Sequence, residues 1–105
     1  MRILQGTTPT IELTIDTSDF SVGDVTVLEM TLKNGATMLT KALADVTVDA
    51  VNNKITYAMT QAETLALNPS AMLYVQCRFK FSDGSIVGTE QIGFDVSKLN
   101  STATI

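Results

Sequence analysis

The chain contains no histidine and no tryptophan, and it has a single cysteine, Cys77. Histidine is the commonest general acid, general base and metal ligand, so its absence excludes a Ser-His-Asp or Cys-His catalytic arrangement built within this chain. One cysteine excludes both an internal disulfide and a cysteine-rich zinc site. We therefore predict no catalytic, cofactor-binding or metal-binding residues, no cofactor, and a protein that is not an enzyme.

Basic residues are also few. Seven Lys and Arg stand against eleven Asp and Glu, which gives a net charge of −4 without any run of like sign. A nucleic-acid-binding surface needs a basic face, so we expect no nucleic-acid partner. The opening residues, MRILQGTTPT, hold one basic residue and a very short apolar run. They predict neither a secretory signal nor a membrane span, and hence synthesis in the cytoplasm and no membrane partner.

Long hydrophobic runs are absent, yet 45% of the residues are hydrophobic and only 17% are charged. A chain of 105 residues with this composition is expected to form one globular domain, residues 1–105. The termini, residues 1–8 and 97–105, are expected to be loosely held. Residues 1–8 could instead supply an edge strand, either within the chain or on a neighbouring subunit.

The most regular pattern in the sequence is the strand Met72 to Phe81. Its apolar positions are Leu73, Val75, Cys77, Phe79 and Phe81, and they alternate with Met72, Tyr74, Gln76, Arg78 and Lys80. This period of two predicts a half-buried strand, with Cys77 as a buried small hydrophobe. Ahead of it, Thr60 and Glu63 match a capping box and predict one short helical turn near residues 60–67, ended by Pro69.

Three turns are predicted to form hairpins. They are the two-residue turns Asn34-Gly35 and Asn52-Asn53, and the turn Ser82-Asp83-Gly84-Ser85. The opposite pairs that these turns predict are Leu32 with Thr37, Met30 with Leu39, Ala50 with Ile55, Val48 with Tyr57, Phe81 with Ile86, and Val75 with Ile92. In the third hairpin the register would bury Glu90 against Cys77, so an irregularity between Val87 and Gln91 is expected, with Glu90 turned to water.

Short strands about ten residues apart, beginning with Thr10 to Asp16, predict an all-β protein. We expect an immunoglobulin-like antiparallel β-sandwich of about seven strands, because a second sheet is the simplest cover for each apolar face. A barrel closed by the same strands remains the alternative. Residues 17–24 are predicted to be a loop anchored by Phe20 and Val22.

Three segments carry a resemblance: QGTTPTIELTI, ITYAMTQAETLAL and VQCRFKFSDGSIVGTEQIGFDV. Through these segments the sequence resembles the small β-sandwich proteins of Gram-positive prophage tail regions and the N-terminal module of phage baseplate upper proteins. The resemblance implies a non-enzymatic virion structural protein of a phage or prophage, in the tail or baseplate, located in the virion. It implies protein–protein interaction with other virion proteins and carries over no functional residue.

Two functions stay open at this point. The first is that virion component, with homo-oligomerisation possible. The second is an immunoglobulin-like binding module that recognises a host-surface carbohydrate or protein. The candidate contact surface is the outward side of the strand Met72 to Phe81. It consists of Met72, Tyr74, Gln76 and Arg78, and it mixes apolar and hydrogen-bonding groups as interfaces do. Alternatively, Met72 and Tyr74 are buried under the loop that holds Phe20.

Overall fold

The computed structural model describes residues 2–16, 19–101 and 103–105. Within these ranges the chain forms nine strands, one short α-helix and two one-turn 3₁₀ helices, Val22–Asp24 and Leu43–Asp45. The strands and helix are β1 Arg2–Leu4, β2 Thr10–Thr14, β3 Val25–Asn34, β4 Thr37–Ala42, β5 Thr47–Asp49, β6 Lys54–Ala58, α1 Gln61–Leu65, β7 Leu73–Phe81, β8 Ile86–Gly88 and β9 Ile92–Ser97.

The strands lie in two sheets. One has the order β1-β9-β7-β3-β4, with β8 also paired to β7, and the other has the order β2-β6-β5. The prediction of an all-β sandwich is confirmed, and the separate sheets exclude a single closed barrel. The structure has nine strands where about seven were expected, and the β1–β9 pair is parallel whereas the other pairs are antiparallel.

The core fills the space between the sheets. The alternation of β7 is confirmed, since Leu73, Val75, Cys77 and Phe79 are all at most 1% exposed. They meet side chains of the smaller sheet, such as Ile11 and Ile55, which are also fully buried. In the first hairpin Leu28, Met30 and Leu32 are buried and Leu39 is packed against them.

The first residues take part in the larger sheet. Strand β1 pairs with β9 through Arg2–Asp95, Ile3–Val96 and Leu4–Ser97, and Ile3 is fully buried. Gln5 continues this pairing, because its N–H donates to the Ser97 carbonyl and its side chain donates to the Leu67 carbonyl at 2.8 Å. Of the two alternatives for this segment, pairing within the chain is the one that the structure has.

The predicted register of the first hairpin is wrong by two residues. Leu32 lies opposite Leu39, and Asn34 lies opposite Thr37, so the turn consists of Gly35 and Ala36. Gly35 has a φ of +60°, which is the feature of a type II′ turn with glycine at its first central position. Asn34 stays in the strand because its buried side chain is bound by the segment 68–72.

The second hairpin is also shifted by two residues. Val48 lies opposite Ile55 and Asp49 opposite Lys54, which leaves residues 50–53 as a four-residue loop. The Asp49 carboxylate accepts hydrogen bonds from the N–H groups of Val51 and Asn52 and so closes the loop early. Asn53 adopts the left-handed conformation, with a φ of +52°.

The third hairpin contains the expected irregularity. Near the turn, Lys80 lies opposite Ile86, whereas Phe81 was predicted to lie there. The shift of one residue arises because the Phe81 N–H donates to the Ser85 carbonyl and closes a loop in which Gly84 has a φ of +88°. Further along, Val75 lies opposite Ile92 as predicted. Between these sections Glu90 is exposed. The Cys77 N–H, which has no carbonyl opposite it in the ladder, donates instead to the Thr89 hydroxyl at 3.0 Å.

The remaining local predictions concern caps and loops. The capping box is confirmed: the Glu63 N–H donates to the Thr60 hydroxyl, and the Thr60 N–H donates to the Glu63 carboxylate. Phe20 and Val22 anchor their loop, with Val22 at 1% exposure. Residues 17 and 18 of that predicted loop, Met1 and Thr102 lie outside the described residues.

Candidate interaction surface

The candidate surface is the outer face of the six-stranded sheet, the side turned away from the smaller sheet. Alternation places on it Tyr74, Gln76, Arg78 and Lys80 of β7, Glu29, Thr31 and Lys33 of β3, Met38 and Thr40 of β4, and Gly93 of β9. The four residues proposed from the sequence, Met72, Tyr74, Gln76 and Arg78, are all exposed and lie together as predicted. We call this side the outer face.

An apolar cluster lies at one end of the outer face. The Tyr74 side chain crosses to Gly93 on β9, where a Cβ atom, if glycine had one, would lie 3.1 Å from Tyr74 Cε1 and 2.9 Å from Met72 Cε. Tyr74 and Met72 therefore occupy the space above the glycine, as aromatic side chains do when they cover a glycine on a neighbouring strand. The Tyr74 hydroxyl also contacts the Met72 sulfur at 3.6 Å.

Tyr74 and Met72 remain open to solvent in this arrangement, at 38% and 37% exposure. The alternative that they are buried under the Phe20 loop is wrong. Phe20 instead lies against the aromatic rings of Phe79 and Phe81, at centroid distances of 5.0 and 5.3 Å. The Phe20 ring thus packs against Phe79 in a tilted geometry and against Phe81 edge-on, within the molecule.

Lys33 and Met38 lie beside the apolar cluster on the neighbouring strands. Lys33 lies opposite Tyr74 on one side and Met38 on the other, and Met38 is 60% exposed. A groove of about 510 Å³ runs along this end of the sheet, and its lining includes Lys33, Met72, Tyr74 and Gln91. The surface thus combines exposed apolar side chains with hydrogen-bonding groups at their border, which is the composition of interface cores and rims.

The polar half of the outer face is partly tied down. The Gln76 side chain donates to the Thr89 carbonyl at 3.0 Å, and so holds the bulge between β8 and β9 against β7. Arg78 pairs with Glu29 at 3.0 Å, with both side chains well exposed. An exposed pair of this kind adds less than about 1 kcal/mol to stability, so its charges stay available to a partner at little cost.

Sequence reasoning missed the parts that Gly93 and Lys33 play. A signal for Gly93 was present, because the predicted pair Val75–Ile92 places Tyr74 opposite Gly93, and glycine in a strand marks a site of close approach. Lys33 gave no such signal, since its position beside Tyr74 depends on the pairing of β3 with β7, two strands far apart in the sequence.

A polar cluster away from the outer face joins the two sheets to α1. The Glu63 carboxylate forms a salt bridge with Lys41 of β4 at 2.9 Å and accepts a hydrogen bond from the Tyr57 hydroxyl of β6 at 2.7 Å. Burial favours the neutral acid, but the hydrogen bonds from Lys41, the Thr60 N–H and Tyr57 outweigh it and lower the Glu63 pKa to about 2. The pKa of Lys41 is raised chiefly by its hydrogen bond to Glu63.

This cluster is suited to holding the structure together. A carboxylate with its pKa at about 2 stays ionised and is a poor proton acceptor at neutral pH. Burial raises the pKa of the Cys77 thiol to about 12, which disfavours the nucleophilic thiolate. Among the described residues no group of three or more acidic, cysteine or histidine side chains is placed to hold a metal ion.

None of the helices in the described ranges is long and apolar enough to cross a membrane. Comparison of the chain with models of protein families gave no match, and comparison with curated proteins gave none either.

Proposed function

We propose that this chain is a non-enzymatic structural or assembly protein of a phage or prophage virion, in the tail or baseplate. It acts through protein–protein contacts of the outer face, and its partners are other virion proteins. The sequence resemblance supports the virion setting. The observation that carries the contact surface is the exposed cluster of Met72 and Tyr74 packed over Gly93.

The geometry supports a docking role because the outer face is formed by paired strands. The pairing of β3 with β7 fixes the backbone at Tyr74 and Lys33, so little backbone order is lost when a partner binds. The apolar part is bordered by Gln76, Arg78 and Glu29, which can exchange water for hydrogen bonds across an interface. A tyrosine and a methionine are among the residue types enriched in such interfaces.

Two experiments test this proposal. Mass spectrometry of purified particles from the induced host should find the chain, and deletion of its gene should yield particles with defective tails. The proteins encoded by neighbouring genes should bind the purified chain, and Tyr74→Asp should abolish that binding while Thr47→Asp, on the exposed side of the smaller sheet, leaves it unchanged. Absence from the particles together with no binding to neighbouring gene products would overturn the proposal.

The second candidate is an immunoglobulin-like binding module for a host-surface carbohydrate or protein. Phe20, the aromatic residue near a loop, is engaged with Phe79 and Phe81. The observation that favours this candidate is the Tyr74 ring beside a groove lined by Lys33 and Gln91, which places hydrogen-bonding groups next to an aromatic face. Saturable binding of the labelled chain to intact host cells, lost on glycan removal and in Tyr74→Ala, would favour this function over assembly.

A further inference from the structure

A groove of about 550 Å³ lies on one side of the sandwich, where the smaller sheet ends beside the larger one. Thr14 and Ile15 line it from β2, and residues 87–90 line it from β8 and the bulge that follows. Met72 and Tyr74 take no part in it. The groove is therefore separate from the apolar cluster of the outer face.

The core side of the larger sheet is incompletely covered at β8 and β9. Val87 lies opposite Phe79, and Ile92 lies opposite Val75. Residues directly opposite each other in an antiparallel pair have their side chains on the same face. Phe79 and Val75 are at most 1% exposed, whereas Val87 and Ile92 are 40% and 41% exposed. Two apolar side chains on the core face thus lack a cover.

Strand β2 presents an unpaired edge beside this groove. In the described residues β2 is the last strand of the smaller sheet and pairs with β6 alone. The Pro9 carbonyl accepts the Met59 N–H, and the Ile15 N–H donates to the Asn53 carbonyl, each at 2.9 Å. Backbone groups of alternate residues face the partner strand in an antiparallel pair. The residues of β2 whose backbone groups face the free edge are therefore Thr10, Glu12 and Thr14.

The strand topology explains why this edge is free. In an immunoglobulin sandwich the first strand lies beside the second in the same sheet. Here the first strand, β1, pairs with β9 in the larger sheet instead. The position beside β2 is thus left without a strand in the part of the chain that the structure describes. An extended segment placed there would pair with β2 and contact Val87 across the groove.

The charge of the groove indicates what kind of segment fits it. Three of the described residues that line it are charged, and all three are acidic: Asp16, Asp19 and Glu90. The same edge of a second copy would bring the same negative charges, and like charges placed together across an interface cost several kcal/mol. A segment that carries Lys or Arg would instead be attracted. Charge complementarity therefore favours a basic partner over a second copy of this chain.

We propose that an extended, basic segment of a partner protein adds as a strand to the free edge of β2. Its backbone bonds to Thr10, Glu12 and Thr14, and its apolar side chains, at alternate positions, cover Val87. Its Lys or Arg side chains lie beside the acidic residues of the groove. In strand addition the main-chain bonds supply affinity and the alternate side chains supply specificity. This site does not depend on the proposed function.

Selection from a library of random displayed peptides against the full chain tests the proposal. The enriched peptides should alternate apolar with polar positions and contain Lys or Arg. A synthetic copy of the most enriched peptide is then titrated by calorimetry. Glu90→Lys should weaken its binding at least about tenfold, because the close charge pair is lost. Asp95→Lys makes the same charge change at an exposed position on the other side of the larger sheet and should leave binding unchanged.

Amide hydrogen exchange followed by NMR gives a second test, which needs no variant. In the free chain the N–H groups of Thr10, Glu12 and Thr14 should exchange faster than those of Ile11 and Leu13. The bound peptide should protect the first three. A library that yields no binding peptide, enriched peptides without basic residues, equal effects of Glu90→Lys and Asp95→Lys, or protection at β4 or β8 in place of β2 would overturn the proposal.

Discussion

Asn34 and Asn68 form a reciprocal pair: the Asn34 side-chain oxygen accepts the Asn68 N–H at 2.6 Å, and the Asn34 amide donates to the Asn68 carbonyl at 3.1 Å. The same amide also donates to the carbonyls of Ala71 and Met72. Asn34 is 2% exposed, so one buried amide fixes the connection between α1 and β7. This connection leads directly to Met72 and Tyr74, and Asn34 thereby positions the apolar end of the outer face.

The first prediction concerns Asn34. Asn34→Asp replaces the amide donor with a carboxylate oxygen directed at three carbonyls, and we expect a loss of about 2–4 kcal/mol in the free energy of unfolding. Urea denaturation at pH 7 measures it. The control is Asn100→Asp, which makes the same change at an exposed position and should alter stability very little. Equal losses in the two variants would contradict the role of Asn34.

The second prediction concerns Glu63 and pH. Its pKa in the folded protein is about 2, below the ordinary value of 4.5, so the unfolded chain binds a proton at higher pH than the folded chain does. The stability that Glu63 contributes is complete above about pH 4.5 and is lost as pH falls toward 2. We expect thermal melts of the wild type to lose stability over this range, and Glu63→Gln to show a shallower dependence.

The control for Glu63 is Glu90→Gln, because Glu90 is exposed. It should retain the pH dependence of the wild type. If Glu63→Gln and the wild type have parallel curves between pH 4.5 and 2, the hydrogen bonds from Lys41 and Tyr57 do not hold the carboxylate in solution.

The third prediction concerns Cys77. The thiol is 1% exposed and burial raises its pKa to about 12, so it should not react with a thiol-specific disulfide reagent in the folded protein at pH 8. Complete reaction is expected in urea, and the rate in the native state should follow global unfolding. Rapid labelling of the folded chain would show that β7 opens locally at its centre.

The fourth prediction concerns Gly93. Gly93→Ala places a methyl group within about 3 Å of Met72 and Tyr74, but the atoms it meets are the ends of flexible side chains. We expect both side chains to swing away at a cost of less than about 1.5 kcal/mol, the scale of an off-rotamer side chain. The tyrosine signal in near-ultraviolet circular dichroism should change. The loss in the free energy of partner binding through the outer face should exceed the loss in the free energy of unfolding.

A matched control for Gly93 is Gly88→Ala. A Cβ atom there would lie 3.8 Å from its nearest neighbour, an ordinary contact, on the same outer face. Gly88→Ala should therefore leave both the tyrosine signal and partner binding unchanged. Similar effects of the two substitutions would indicate that Met72 and Tyr74 do not depend on the space above Gly93.

The sequence predicted the strands, their buried faces and the helix cap because these depend on nearby residues. The alternation in β7 specifies which side chains are buried whatever the strand pairs with. The first two hairpin registers were wrong by two residues, and a shift of two keeps every side chain on its predicted face. The buried faces of β3 and β6 are therefore unaffected by the errors in their pairs, whereas Ile3, in a segment expected to be loosely held, was missed as a core residue. At the third turn a shift of one residue turned Ile86 outward, to 60% exposure.

What the sequence alone determined is thus the periodicity, the capping box of Thr60 and Glu63, the bulge near Glu90 and the outward position of Tyr74. Tertiary structure decided the turn lengths, since Asn34 is held by residues 68–72 and Asn53 by the Ile15 and Phe20 carbonyls. It also decided the parallel pairing of β1 with β9 and the Lys41–Glu63–Tyr57 cluster. These features join residues that are far apart in the chain, and no local pattern specifies which distant group a side chain will meet.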